Sequence, residues 1–192
     1  MIFVFFCLFR YGGGWMAFQR RFDGSVGFHQ RKWNEYKLGF GDSEGEYYLG
    51  NELLHQLTKT SHDYMMEATS FSDEVNFKRI RNVVIAGEND NYRIQYAAEN
   101  IESTTNSQLA CGLMMRNQPF STADRDNEDS SSSCGQRYGG WWHGDCHYCA
   151  MNGQYRQEGS HTGNYISGII WIQWKTTSES LKKSLLMIRP SQ

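Results

Sequence analysis

A long stretch without hydrophobic periodicity limits the folds open to this sequence. Between residue 100 and about residue 163, Ser, Asn, Gly, Cys and His dominate, and neither a period of 2 nor one of 3.6 can be traced. A segment of this kind inside a compact domain carries function or needs local staples. Here it contains Cys111, Cys134, Cys146 and Cys149, four of the five cysteines, together with the acidic run FSTADRDNEDSSSSC at 120–134. Patterned sequence flanks it on both sides. WMAFQRRF from Trp15 alternates apolar and polar residues and predicts a strand, with a turn at Asp23, Gly24 and Ser25. Residues 30–37, with Trp33 and Tyr36 three apart, predict a short helix ended by Gly39. NELLHQLTK predicts another, with Asn51 as N-cap and Leu53, Leu54 and Leu57 on one face. VVIA near Val83 and YRIQYA near Tyr92 predict two strands joined by ENDN, and IIWIQWK and LLMIR the last two. The expectation is strands at both ends, a long irregular segment between them and the site in the middle.

The 192 residues suffice for one domain with a sizeable core, or at most two small ones. A net charge of -2 gives no basic footprint, which argues against nucleic acid and anionic membranes as partners. No run reaches the length of a membrane-spanning helix. The opening MIFVFFCLFR is apolar for nine residues, but no cationic residue precedes it and no small-residue cleavage site follows. A buried strand leading into Gly12, Gly13 and Gly14 is the favoured reading over a signal segment. Five cysteines leave at least one thiol free, bonded to another molecule or missing its partner.

Three constellations invite a chemical reading. GDSEG at 41–45 matches the nucleophile elbow G-x-S-x-G, with His143, His147 and His161 downstream, but the repeated βα units of that fold are missing. Tight turns explain its glycines better than catalysis by Ser43 does. Cys134, His143, Cys146, His147 and Cys149 offer thiolates and imidazoles for zinc, although their spacing matches no common finger and an oxidising compartment would pair the cysteines instead. Asp124, Asp126, Glu128 and Asp129 supply closely spaced carboxylates, followed by the backbone carbonyls of four serines. Such a run can wrap a hard cation with six to eight oxygens. It is no EF-hand, lacking the glycine and glutamate of that loop. A solvated acidic loop is the alternative.

Taken together, GGGWMAFQRRFDGSVGF, WNEYKLGFGDSEGEYYLGNELLHQLT, FSTADRDNED, GGWWHGDCH, MNGQY and GIIWIQWKT resemble the fibrinogen-related domains, in family order over nearly the whole sequence. The resemblance implies a non-enzymatic, secreted, extracellular α+β domain over 1–192. Its expected form is a twisted antiparallel sheet with short helices, at about 1–100 and 166–190, and a loop-rich calcium and ligand subdomain at about 101–165. It further implies Ca2+ held by the side chains of Asp126 and Glu128 and the carbonyls of Ser130 and Ser132. Glu128 stands where aspartate is usual. Asp124 and Asp129 would be outer-shell or solvated. A Cys134–Cys146 disulfide, preceded by a cis Asp145–Cys146 bond, would close the loop beside the cation. Acetyl-recognising members place aromatics and a histidine where Tyr138, His147 and Tyr165 fall, with the N–H groups of Cys146 and His147 on the acetyl oxygen. Thr177 and Asp145 depart from that pattern. The expected function is therefore calcium-dependent binding of acetylated, N-acetylglucosamine-like glycans in innate defence. A protein-interaction module without a sugar pocket is the alternative. Trp141, Trp142, Trp171, Trp174 and Tyr155 are expected in the core. Cys7 sits where a family cysteine pairs upstream, so the sequence reads as N-terminally truncated. Cys111 and Cys149 are not typical of the family and could pair with each other, or one could pair with Cys7. An unpaired cysteine would also offer a link to a second copy.

Overall fold

The computed structural model describes residues 7–9, 11–103, 110–144, 146, 148–157, 168–172, 174, 175 and 179–191. In sequence order the elements are β1 (Cys7–Leu8), β2 (Trp15–Arg21), α1 (Trp33–Leu38), β3 (Phe40–Gly41), β4 (Tyr47–Tyr48), α2 (Asn51–Leu57), β5 (His62–Thr69), β6 (Val75–Ile85), β7 (Ile94–Gln95), β8 (Ile101–Ser103), α3 (Ala110–Met115), α4 (Cys134–Tyr138), β9 (Cys149–Ala150), β10 (Ile170–Trp171) and β11 (Lys183–Pro190). Among the described residues, nine strands form one antiparallel sheet in the order β3-β4-β2-β11-β5-β6-β7, with β1 added to β2 and β8 to β6. β9 and β10 form a separate pair.

The last strand lies at the centre. β11 pairs with β2 on one side and over its whole length with β5 on the other, from Lys183 opposite Thr69 to Pro190 opposite His62. Alternation along these strands sends side chains to two faces. Phe18, Tyr64, Met66, Ala68, Ile80, Leu186 and Ile188 join the main core beneath the helices and loops. Trp15, Ala17, Tyr47, Met65, Leu185 and Met187 form a second cluster on the opposite face. A strand buried on both faces shows little polar alternation. That is why β5, with the sequence HDYMMEAT, does not stand out as a strand.

The remaining sequence expectations divide. Both helices form, although the N-cap of α2 is Gly50 and Asn51 is its first helical residue, and LLMIR lies in β11. The hairpin around ENDN exists, Val84 facing Gln95 and Ile85 facing Ile94, but its first strand is the end of the much longer β6. IIWIQWK contributes only Ile170–Trp171, and to the small β-pair rather than the main sheet. The buried N-terminal strand is corrected where it is described: β1 is an edge strand with Cys7 exposed, and residues 1–6 lie outside the described residues. Trp141, Trp142 and Trp171 are core residues as expected, with Trp174 and Tyr155 packed against them.

Candidate functional site

The acidic run is anchored at its start by a helix close to it in space. Asp124 Oδ1 accepts the Trp33 N–H at 2.9 Å and the Thr122 hydroxyl at 2.8 Å, so Asp124 caps the start of α1. The next residue, Arg125, lays its guanidinium 3.9 Å over the Trp33 ring, which also stacks on Tyr92. Asp124 is thus a structural cap, a role the sequence did not suggest, while the residue itself stays exposed. Ser121 and Trp141 exchange backbone hydrogen bonds at 2.9 and 3.0 Å, and Asn127 donates to the Phe120 carbonyl at 2.7 Å. The loop is tied down on both flanks before its ligand-type residues begin.

Those residues, Asp126, Glu128, Ser130 and Ser132, fall in one turn-rich loop. Asp126 Oδ1 accepts the Glu128 N–H at 3.2 Å. Glu128 Oε1 accepts the N–H groups of Cys134 and, at 3.2 Å, Gly135, capping α4. Its other oxygen, Oε2, is buried without a hydrogen-bond partner among the described residues. Burial pushes the Glu128 carboxyl up to about 7; the Gly135 and Cys134 N–H groups oppose this and the neighbouring Asp126 charge adds to it. A buried carboxylate oxygen without a donor, beside a second carboxylate, is the kind of atom a hard cation satisfies. The Ser132 carbonyl oxygen lies 3.4 and 3.6 Å from the sulfurs of Cys134 and Cys146, and the Ser130 hydroxyl accepts the Ser132 N–H at 3.2 Å.

Two disulfides staple this half of the molecule. Cys134–Cys146 forms as the resemblance implied. Cys111–Cys149 settles the pairing that the sequence left open, joining α3 to β9 inside the main core and leaving Cys7 free. Tyr138 is 7% exposed and packs with Cys134, Cys146, Ala150 and Ile170. Burial raises the pKa of its phenol. His147, Tyr165, Thr177 and the Asp145–Cys146 peptide bond lie outside the described residues, so of the expected acetyl-binding residues only Tyr138 and Cys146 are placed.

The zinc constellation resolves differently from its sequence form. Glu128, Cys134 and His143 bring one ligand atom each within 4.8 Å of the other two. Cys134 is bonded to Cys146, and Cys149 is bonded to Cys111 in a different cluster. His143, 2% exposed, has its Nε2 2.9 Å from the Gly139 carbonyl, and burial lowers its pKa to about 4.

GDSEG is a turn. Gly41 has φ +85°, and a Cβ there would meet the Glu46 carbonyl at 2.2 Å; Asp42 accepts from Glu44 and Gly45 within the turn. The acid that matters nearby is Glu46, which the sequence reading missed. Fully buried, it accepts the N–H groups of Phe22, Asp23, Gly24 and Val26 and fixes the 22–26 loop. Its position beside the glycines of GDSEG gives no sign of a partner some 20 residues earlier. Arg21 was also missed. Its Nη1 donates to the Met151 and Gly153 carbonyls, at 3.0 and 2.5 Å, tying β2 to the loop-rich part.

Residues 2–191 match the family model described as fibrinogen beta and gamma chains, C-terminal globular domain. The protein is similar to angiopoietin-2 of Mus musculus, 40% identical over 183 residues, and to angiopoietin-2 of Homo sapiens, 38% identical over the same length. Each match covers 94% of this chain and 36% of the relative, so the chain spans about a third of the length of these curated relatives. Among solved structures it is similar to the fibrinogen-like globe domain of human ANGPTL2, with TM-score 0.89 and 31% identity over 97% of this chain and 85% of that one. The globe domain of human ANGPTL6 gives TM-score 0.88 and 31% identity, over 97% and 82%. The lamprey fibrin D-dimer complexed with the peptide ligand Gly-His-Arg-Pro-amide gives 0.84 and 28%, over 97% and 64%. These similarities overturn the expectation of an acetyl-glycan lectin of innate defence: the relatives are angiopoietins and angiopoietin-like globe domains, which favours the protein-interaction alternative.

Proposed function

The chain belongs to the family of fibrinogen C-terminal globular domains, and we propose on that basis that it is a non-enzymatic, extracellular protein-recognition domain. The observation that carries this reading is the similarity to angiopoietin-2 over 94% of the chain. The loop-rich end is the docking surface in this reading. It is the part held by disulfides and caps rather than by the sheet, and loops on a rigid scaffold are where recognition residues gather. A tetrapeptide ligand on the lamprey relative supports short-peptide recognition within the same fold. Two disulfides among buried cysteines support an oxidising, extracellular setting.

Ca2+ belongs to the same proposal. Asp126, the free oxygen of Glu128 and the carbonyls of Ser130 and Ser132 would hold it, and the ion would neutralise the crowded carboxylates. The support is the orphan Glu128 Oε2.

Binding of the labelled domain to cell surfaces tests the class of partner. The expected result is saturable binding that is lost when the cells are treated with protease and is indifferent to millimolar N-acetylglucosamine. Binding that survives protease and is competed by the sugar would contradict the proposal.

A further inference from the structure

The cluster of Glu128, Cys134 and His143 is not accounted for by protein recognition. A ligand atom from each lies within 4.8 Å of the other two, so an ion at their centre would sit within about 2.8 Å of each, at most roughly 0.5 to 0.8 Å beyond zinc's bonds to S, N and O. The three residues are prepared in different ways. His143 can only donate at Nε2, because its partner there is the Gly139 carbonyl; Nδ1 therefore carries a lone pair. Metal-binding imidazoles are usually oriented by this kind of second hydrogen bond. Glu128 has one oxygen committed to the α4 N-terminus and the other, Oε2, buried without a partner among the described residues. Cys134 is fully buried, and its sulfur is withheld only by its bond to Cys146.

We propose that Glu128, Cys134 and His143 form a latent zinc site, closed while Cys134 is bonded to Cys146 and opened when a dithiol reduces that bond. The dithiol gives up two electrons and becomes a disulfide, and its two protons pass to the sulfurs of Cys134 and Cys146. Zinc then displaces the Cys134 proton to solvent and takes one sulfur, one nitrogen and one oxygen, leaving a fourth position for water. Cys111–Cys149, a separate bridge in the main core, keeps the surrounding loops in place. The site does not depend on calcium binding at the same loop. Because both would draw on Glu128, zinc in the reduced protein would remove a ligand from calcium.

The test uses the 192-residue chain with Cys7→Ser as parent, which removes the exposed thiol, and adds Cys146→Ser to leave Cys134 permanently free. Co2+ and Zn2+ are the probes. The Cys146→Ser protein is expected to bind one equivalent of Co2+ with a thiolate-to-metal absorption band, and to bind Zn2+ at least about 100-fold more tightly than the parent. Adding His143→Asn should weaken binding about 10- to 100-fold and alter the cobalt spectrum. Equal zinc affinity in parent and Cys146→Ser, or no effect of His143→Asn, would overturn the proposal. Should Cys146→Ser fail to fold, the parent is titrated with Co2+ after phosphine reduction, with the free thiols mapped by mass spectrometry. A band that appears with the Cys134 thiol and vanishes on reoxidation is expected; reduction of Cys134 without a band overturns the site.

Discussion

The sheet and the loop-rich segment are held in place by different means. In the sheet, β11 lies between β2 and β5, and residues such as Leu186, Ile188 and Tyr64 are removed from water by neighbours on every side. In the segment from α3 to β10, short elements are joined by covalent bonds and by carboxylates acting as caps: Cys111–Cys149, Cys134–Cys146, Asp124 on α1 and Glu128 on α4. The two halves therefore tolerate change differently. Sheet stability is distributed over many apolar contacts; the loop half shares that core through residues such as Trp141, Trp142 and Trp171, and adds a few polar and covalent ties, such as Cys134–Cys146 and Glu128 on α4, that can be cut one at a time.

Disturbing the sheet is expected to do the most damage. Leu186→Ala removes a fully buried side chain from the central strand and is expected to cost about 4 kcal/mol, read as a global shift of the denaturation midpoint with one cooperative transition. Next comes Cys134→Ala with Cys146→Ala. Opening this short loop is expected to cost about 3 kcal/mol in the chain-entropy model, with hydrogen-exchange protection falling around α4 before β5 or β11.

Lys78 is the exception on the sheet side, a buried ammonium without a hydrogen-bond partner among the described residues, 5.7 Å from the centre of the Trp171 ring. Burial lowers its pKa from 10.5 to about 8. Between those values the unfolded protein binds more protons than the folded one, so stability rises with pH across that window. The penalty, about 3 kcal/mol, is present in full below pH 8. Lys78→Met is therefore expected to stabilise the protein by about 2 kcal/mol at pH 7, with the advantage shrinking toward pH 10.5. Denaturant melts at both pH values check the sign. The smallest effect is expected for Asp124→Ala, about 1 kcal/mol for a lost cap, with exchange at the start of α1 as the local readout.

How legible each half was follows from the same physics. β2 and both helices could be read because alternation, helical spacing or a turn residue marks each of them within a few positions. β5 could not, since His62, Asp63, Tyr64, Met65, Met66, Glu67 and Ala68 are all buried and the period-2 signal disappears. Nor could the central place of β11 be read, because it depends on pairing across more than a hundred residues. In the loop half, the acidic run stood out from the spacing of its carboxylates, and the Cys134–Cys146 bond was readable through family resemblance. Asp124 as a helix cap and Glu46 as the staple of the 22–26 loop were not, because each partner is distant in sequence and chemically ordinary backbone. Tyr138 was placed in an acetyl pocket by family resemblance; its packing with the disulfide shows only in three dimensions.

A docking end completed by a cation, on a scaffold that does not need one, is best tested by hydrogen exchange with and without Ca2+. The expected result is protection gained within residues 126–146, lost again in Glu128→Gln, while β5 and β11 exchange unchanged. No change in that loop, or a uniform change that includes the central strands, would contradict it.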